Sequence, residues 1–133
     1  MGNSRIKRIY REWGEKVRLI IFIIIIIALL NIQPKIKKEG IASWYSVKSS
    51  GLITANGERY NESLLTCASA DYKFNTLLKV TNMENKKFVI VRVTDRGNFK
   101  KKYNRILDLS PRAFKQLAPL SQGIIKVQVE VIK

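Results

Sequence analysis

Hydrophobic and polar residues alternate over several short stretches of the C-terminal two thirds of the chain. Residues 77–82 (LLKVTN) and 87–95 (KFVIVRVTD) are rich in β-branched residues, and the polar segment 83–86 separates them. This pattern predicts two strands paired through a hairpin. Residues 124–133 (IIKVQVEVIK) alternate more cleanly and predict a strand whose inward residues are Ile125, Val127, Val129 and Val131.

Weaker signals complete this region. Residues 40–47 and the segment around 66–69 are further strand candidates. Ser110 suits an N-cap, Pro111 suits the first helical position, and Pro119 closes the helix that they begin. Many short strands with one short helix predict a small, mainly β fold, a closed or nearly closed β-barrel.

The N-terminal region carries a different pattern, in which cations lead into an apolar run from Leu19 to Leu30. Six basic residues precede or enter the run: Arg5, Lys7, Arg8, Arg11, Lys16 and Arg18. This order is typical of a membrane-engaging leader with its N-terminus in the cytosol. The predicted organisation is a basic cytosolic segment (1–18), a membrane anchor or signal segment (19–32), a linker (33–39) and a barrel domain (40–133).

Two features of the leader point in opposite directions. The apolar run is shorter than the roughly 20 residues that usually span a bilayer, which suits a signal peptide. No small-x-small cleavage motif follows Ala28, which favours an uncleaved inner-membrane anchor. We expect the anchor, with cleavage and secretion as the alternative. In both cases the domain is exported to the periplasmic or extracytoplasmic side of the cell envelope.

The net charge of +15 is shared by both regions, since residues 1–39 hold nine cations against three acids and residues 40–133 hold sixteen against seven. Such a balance favours anionic partners. Export argues against nucleic acid as the partner. The absence of histidine excludes Ser-His and Cys-His nucleophiles and imidazole metal sites. Cys67, the only cysteine, is expected to be a buried, inert thiol. We expect neither a metal nor a cofactor.

Acid-base chemistry must therefore use carboxylates, lysines or tyrosines. The segment 93–99 (VTDRGNF) places Asp95 at the end of an apolar strand and follows it with Arg96 and Gly97. One interpretation is a tight turn, which Asp and Gly favour. The other is a carboxylate held rigidly at a strand end, where it can exchange a proton with a bound substrate.

Several motifs together carry a resemblance to a known family. They are ASWY (42–45), TANGERYN (54–61), LTCASA (65–70), LLKVTN (77–82), VRVTDRGNF (93–99) and RILDLSPRAFKQL (105–117). In order and spacing they resemble the RlpA (rare lipoprotein A) family, septal lytic transglycosylases that act on peptidoglycan glycan strands. The resemblance implies a six-stranded double-psi β-barrel with one or two short helices, preceded by the hydrophobic helix, and a substrate groove across the barrel.

The resemblance also implies roles for individual residues. Asp95 would be the catalytic acid, which protonates the glycosidic oxygen and then accepts the proton of the muramic acid C6 hydroxyl, giving a 1,6-anhydro product. Substrate contacts are expected from Trp44, Tyr45, Glu58, Arg96 and Asn98. On strand alternation Trp44 and Tyr45 face opposite sides, so only one of them can line the groove. The implied partners are peptidoglycan glycan strands, the membrane and division-site proteins.

Ser69 departs from the family pattern. It stands where a histidine usually supports the catalytic Asp, and a serine cannot carry a proton near neutral pH. We therefore place Ser69 in the candidate catalytic set and keep two functions open. One is a lytic transglycosylase that uses Asp95. The other is a non-catalytic peptidoglycan-binding or division-associated module of the same fold.

Overall fold

The structure is a computed structural model that describes residues 2–32, 35–47, 52–97 and 105–133. The chain divides into two compact units, Met1–Pro34 and Lys35–Lys133. The first contains one helix, α1 (Gly2–Leu30). No residue of this described helix is buried. Among the described residues, no helix has both the length and the apolar composition needed to cross a membrane.

The second unit is a closed six-stranded barrel, which confirms the predicted fold class. Its strands are β1 (Lys37–Trp44), β2 (Thr66–Ala68), β3 (Leu77–Asn82), β4 (Phe88–Asp95), β5 (Arg105–Leu109) and β6 (Ile124–Val131). Around the barrel they follow the order β1-β5-β2-β4-β3-β6. A short helix α2 (Pro111–Lys115) and a 3-10 turn (Leu120–Gln122) lie between β5 and β6.

Strand β1 begins at Lys37, inside the segment expected to be a linker. Residues 37–39 pair with residues 128–130 of β6 in antiparallel register. The backbone N–H and C=O groups at this end of β6 need hydrogen-bond partners. Residues 37–39 of the predicted linker provide them and therefore form the start of β1.

Alternation fills the core as predicted, with one exception. Ile125, Val127 and Val129 of β6 are buried, whereas Val131 is 44% exposed. Val131 lies one residue beyond the last β1–β6 pair, so no β1 neighbour covers it. Helix α2 closes one side of the core through Phe114, and the Ser110 hydroxyl caps it by accepting a hydrogen bond from Ala113 N at 3.3 Å.

Two strand pairs in the barrel are parallel, and each carries one extra residue. In the β1–β5 pair, Ile41 is opposite Arg105 and Ala42 is opposite Leu107, which leaves Ile106 as the extra residue. In the β2–β4 pair, Cys67 is opposite Val93 and Ala68 is opposite Asp95, which leaves Thr94. Such bulges bend a strand and turn the following side chain to the other face.

The Ile106 bulge depends on a glycine in β1. A Cβ atom on Gly40 would lie 2.7 to 2.9 Å from three side-chain atoms of buried Ile106. We expect Gly40→Ala to lower the free energy of unfolding by about 1–3 kcal/mol, because a packed core resists an added methyl group. Chemical denaturation measures this loss.

The double variant Gly40→Ala/Ile106→Ala provides the control. Because Ile106→Ala removes all three opposing atoms, the alanine at position 40 should cost much less in that background. An equal cost in both backgrounds would show that contact with Ile106 is not the reason for the glycine.

Candidate active site

The Thr94 bulge determines where Asp95 points. Val89, Val91 and Val93 alternate into the core, and an unbroken strand would send Asp95 inward after them. The extra residue interrupts this alternation, so Thr94 is also buried and Asp95 is only partly buried. The bulge thus places Asp95 at the end of β4, where it is partly exposed.

Three hydrogen bonds from described residues hold the Asp95 carboxylate. Its Oδ1 accepts from the backbone N–H groups of Ala55 and Arg96, each at 2.9 Å. Its Oδ2 accepts from the Tyr45 hydroxyl at 3.1 Å. The two oxygens therefore have different surroundings, one fixed by backbone and one beside a phenol.

Tyr45 is itself held by a second tyrosine. The Tyr45 and Tyr60 rings are stacked with centroids 4.8 Å apart, and the Tyr60 hydroxyl donates to the Tyr45 carbonyl at 2.8 Å. Burial, followed by the nearby Asp95 charge, raises the pKa of Tyr45 well above its ordinary value. Burial and the charges of Glu62 and Asp95 raise the pKa of Tyr60 as well. Both phenols remain protonated hydrogen-bond donors at physiological pH.

The loop that supplies the Ala55 N–H is anchored to β4. Asn56 N donates to the Thr94 carbonyl at 3.1 Å, so the bulge itself receives the loop. Glu58 forms a two-pronged ion pair with Arg92, with N–O distances of 2.6 and 2.8 Å. The Arg92 hydrogen bonds lower the pKa of Glu58, which stays ionised. Glu58, which is predicted to contact substrate, therefore anchors this loop through its ion pair with Arg92. Its side chain is still 43% exposed.

Arg96 points away from the carboxylate that precedes it. Its guanidinium lies 3.8 Å from the centre of the Phe74 ring and donates to the carbonyls of Ser69 and Asp95 at 3.1 and 3.3 Å. Within the described ranges, no ion pair joins Arg96 to the Asp95 carboxylate. The cation ties together the ends of β2 and β4 instead.

Ser69 is fully buried, and its hydroxyl is hydrogen-bonded to backbone groups of the turn that follows β2. Ser69 Oγ accepts from the backbone N–H groups of Asp71 and Tyr72 at 3.1 and 3.3 Å, and Ser69 N donates to the Asp95 carbonyl at 3.1 Å. Among the described hydrogen bonds, none joins the hydroxyl to the Asp95 carboxylate. Ser69 shapes the turn after β2 and fixes the backbone of Asp95.

The remaining predicted residues lie apart from Asp95 or outside the described ranges. The Trp44 ring packs against the core, and its Nε1 donates to the Leu120 carbonyl at 3.0 Å. Asn98 lies outside the described residues. Asp71, which follows Ser69, forms an ion pair with Lys38 at 2.5 Å. In the described part of the chain, no three carboxylate or thiol groups lie close enough together to hold a metal ion.

Comparison with known proteins identifies the family. Residues 37–129, which cover the whole barrel apart from its last strand residues, match the lytic transglycolase family. The chain belongs to this family. Curated relatives include RlpA proteins, so the resemblance seen in the sequence is confirmed.

Three relatives illustrate the match to RlpA. The endolytic peptidoglycan transglycosylase RlpA of Campylobacter jejuni is 48% identical over 94 residues, which are 71% of this chain and 34% of the relative. The protein of the same name from Rickettsia felis is 48% identical over 98 residues, covering 71% of this chain and 42% of the relative. The probable RlpA of Synechocystis is 42% identical over 96 residues, covering 72% and 29%. This chain therefore spans less than half the length of these relatives.

Solved structures agree on the fold. The Streptomyces papain inhibitor aligns with a TM-score of 0.60 at 22% identity, covering 75% of this chain and 98% of the inhibitor. An expansin from Clavibacter michiganensis aligns with a TM-score of 0.58 at 23% identity, covering 74% of this chain and 51% of the expansin. At these identities the likeness concerns the barrel alone.

Sequence reasoning missed several residues of this candidate site. Tyr60, part of the TANGERYN motif, was not among the predicted site residues, and it stacks on the phenol that contacts Asp95. Arg92 and Phe74, which orient Glu58 and Arg96, carried no recognisable signal because their partners are distant in sequence. The one available signal was the TANGER turn, whose Ala55 N–H reaches Asp95.

The raised tyrosine pKa values predict a loss of stability at high pH. In the unfolded chain a tyrosine ionises near pH 10, whereas Tyr45 and Tyr60 keep their protons in the folded barrel. The contribution of these two groups to the free energy of unfolding is therefore fully present below about pH 10 and is lost as the pH rises further. We expect the free energy of unfolding to fall less steeply above pH 10 in Tyr45→Phe than in the wild type, as measured by denaturation at several pH values.

Asp95→Asn separates the effect of burial on the pKa of Tyr45 from the effect of the Asp95 charge. Because the variant removes a neighbouring negative charge, Tyr45 should ionise at lower pH, which absorbance near 295 nm follows. An unchanged phenol titration in Asp95→Asn would contradict the contact between Tyr45 and the carboxylate.

Proposed function

We propose that this protein is a lytic transglycosylase that cleaves peptidoglycan glycan strands with Asp95 as its proton-transfer residue. The observation that carries the proposal is the Asp95 carboxylate, which is turned outward by the Thr94 bulge and fixed by three hydrogen bonds. The family supplies the substrate class, because curated relatives are named endolytic peptidoglycan transglycosylases.

The proposed reaction needs one carboxyl group used twice. As the bond between C1 of N-acetylmuramic acid and the glycosidic oxygen breaks, the leaving oxygen takes a proton from Asp95. The C6 hydroxyl of the same sugar bonds to C1, and its proton passes to the Asp95 carboxylate. The proton balance closes, and a 1,6-anhydro ring forms without attack by water. Hydrolytic glycosidases differ because their second carboxylate activates water or attacks the sugar.

The hydrogen bonds indicate which oxygen takes part. Oδ1 already accepts two backbone N–H groups, so Oδ2 is the oxygen free to hold and transfer the proton. The Tyr45 hydroxyl lies beside Oδ2 and fixes its direction. Tyr45 is therefore proposed as a positioning residue, and Ser69 as a support for the Asp95 backbone.

Substrate contacts are proposed for three of the predicted residues. The Glu58 side chain is 43% exposed, Arg96 is exposed directly after the end of β4, and Asn98 follows it in the sequence. Trp44 is proposed to stabilise the core instead, because its indole is engaged with Leu120. We also propose that the leader carries the barrel to the outer side of the inner membrane, where peptidoglycan and division-site proteins are accessible.

Ser69 favours a second candidate function, a wall-binding module without activity. The histidine of the family pattern is replaced by a serine whose hydroxyl is committed to two backbone N–H groups. If proton exchange requires that histidine, the same surface would bind glycan strands and leave them intact.

Asp95→Asn tests the enzymatic proposal. The full chain in mild detergent is incubated with purified sacculi, and the released muropeptides are analysed for 1,6-anhydro ends by mass spectrometry. We expect Asp95→Asn to reduce these products at least a hundredfold, since general acid-base catalysis typically contributes a factor of 10²–10⁴. Asp71→Asn is the matched control, with the same chemical change at an exposed acid, and should stay near the wild-type rate.

The outcomes separate the two functions. Products that disappear only in Asp95→Asn support the transglycosylase. No products from the wild type, together with sedimentation on sacculi, would replace it with the binding module. Equal loss in Asp71→Asn would mean that a second carboxylate is required.

Tyr45→Phe tests the positioning role. The substitution removes the hydroxyl that contacts Oδ2 but keeps the ring that stacks on Tyr60. We expect the turnover rate to fall roughly tenfold, as for one hydrogen bond to a charged group, in a variant that stays folded at the assay temperature because its ring still packs on Tyr60. Tyr10→Phe, the same change on α1, should leave the turnover rate in detergent unchanged. A wild-type rate in Tyr45→Phe would exclude the positioning role.

A further inference from the structure

The first half of α1 has two distinct faces. At about 100° per residue, Ile6, Ile9, Tyr10, Trp13 and Val17 fall within a band roughly 100° wide, which we call the apolar stripe. These side chains are between 46% and 76% exposed. The stripe is separate from the all-apolar run that starts at Leu19, because polar residues occupy the rest of the helix circumference here.

Cations border the stripe on both sides. At about 100° per residue, Lys16 and Arg5 lie about 20° and 40° beyond one edge of the stripe, and Lys7 lies about 60° beyond the other; we call these three the edge cations. Arg8, Arg11, Arg18 and Glu15 lie farther round, toward the centre of the polar side, whereas Glu12, 4.0 Å from Arg8, lies on the side of Arg5. Residues 5–18 carry six cations against two acids, so the surface around the stripe is positively charged.

This arrangement fits the surface of an anionic bilayer. A helix lying at that surface buries its apolar side among acyl chains, while long basic side chains at its edges extend to the phosphates. Glu15, at the centre of the polar side, stays in water away from the anionic headgroups, and Glu12 is partnered by Arg8. Tyr10 and Trp13 have rings of the kind that concentrate at the membrane–water boundary.

We propose that residues 5–18 form an interfacial helix that binds the anionic phospholipid surface, with the apolar stripe among the acyl chains and the edge cations on lipid phosphates. We assign the stripe to a lipid surface, because binding in a protein groove would not explain why cations lie along both of its edges. This inference is independent of Asp95 and of the proposed activity. It adds a membrane-surface role to the segment that the sequence predicts to be basic and cytosolic.

Trp13 reports directly on this contact. The full chain is reconstituted into vesicles of phosphatidylcholine alone or with one third phosphatidylglycerol, and tryptophan quenching by brominated lipid and by iodide is measured. The chain has two tryptophans, so Trp13→Phe supplies the Trp44 signal for subtraction. We expect Trp13 to be quenched by brominated lipid and protected from iodide in anionic vesicles, and to lose that protection at high salt.

Arg5→Glu and Arg11→Glu form a matched pair. Both make the same chemical change and the same net charge, but Arg5 is an edge cation and Arg11 lies toward the centre of the polar side. We expect Arg5→Glu to lower the ratio of lipid-shielded to iodide-accessible Trp13 at least fivefold, the factor equivalent to about 1 kcal/mol per cation near an anionic surface. Arg11→Glu should lower it clearly less.

Three results would overturn the proposal. The first is a Trp13 that iodide quenches equally with and without phosphatidylglycerol. The second is an equal loss in Arg5→Glu and Arg11→Glu, which would indicate attraction by net charge alone. The third is shielding that depends on protein concentration and not on lipid charge, which would assign the stripe to a second copy of the chain.

Discussion

One extra residue in strand β4 decides what this barrel can do. A sheet strand has a side-chain period of two, so inserting Thr94 moves everything after it to the opposite face. Without the insertion, Asp95 would follow Val93 into an apolar core, where a lone carboxylate is costly to bury. With it, the carboxylate reaches the end of the strand while its backbone remains part of the barrel.

The same insertion organises the surroundings of Asp95. The Thr94 carbonyl accepts the Asn56 N–H, and this contact brings the neighbouring Ala55 N–H to the carboxylate. On the other side, Ser69 N reaches the Asp95 carbonyl from the end of β2. Three chain segments distant in sequence thus meet at one bulge, and the closed barrel holds them in place. Rigid support of this kind is what a positioned acid or base requires.

The sequence predicts the parts of this structure that depend on neighbouring residues. Alternation locates β3, β4 and β6, and Ser110 with Pro111 locates α2. Motif order further identifies Asp95 as the residue to test. The bulge at Thr94 could not be predicted, because it is defined by the register against β2, some 26 residues earlier in the chain. The commitment of Ser69 to a turn and the stacking of Arg96 on Phe74 depend equally on packing between distant segments.

The identity of the groups around Asp95 limits the chemistry that the site can perform. No histidine exists in the chain, and Arg96, the adjacent cation, is held against Phe74 and two carbonyls. Among the described residues, the carboxylate accepts hydrogen bonds from two backbone amides and one phenol, all of them neutral donors. Burial and the Asp95 charge keep the pKa of Tyr45 high, so its phenol donates a hydrogen bond and does not act as a base. In the proposed reaction Asp95 must therefore carry the proton in both directions, which is possible only because the attacking hydroxyl belongs to the substrate itself.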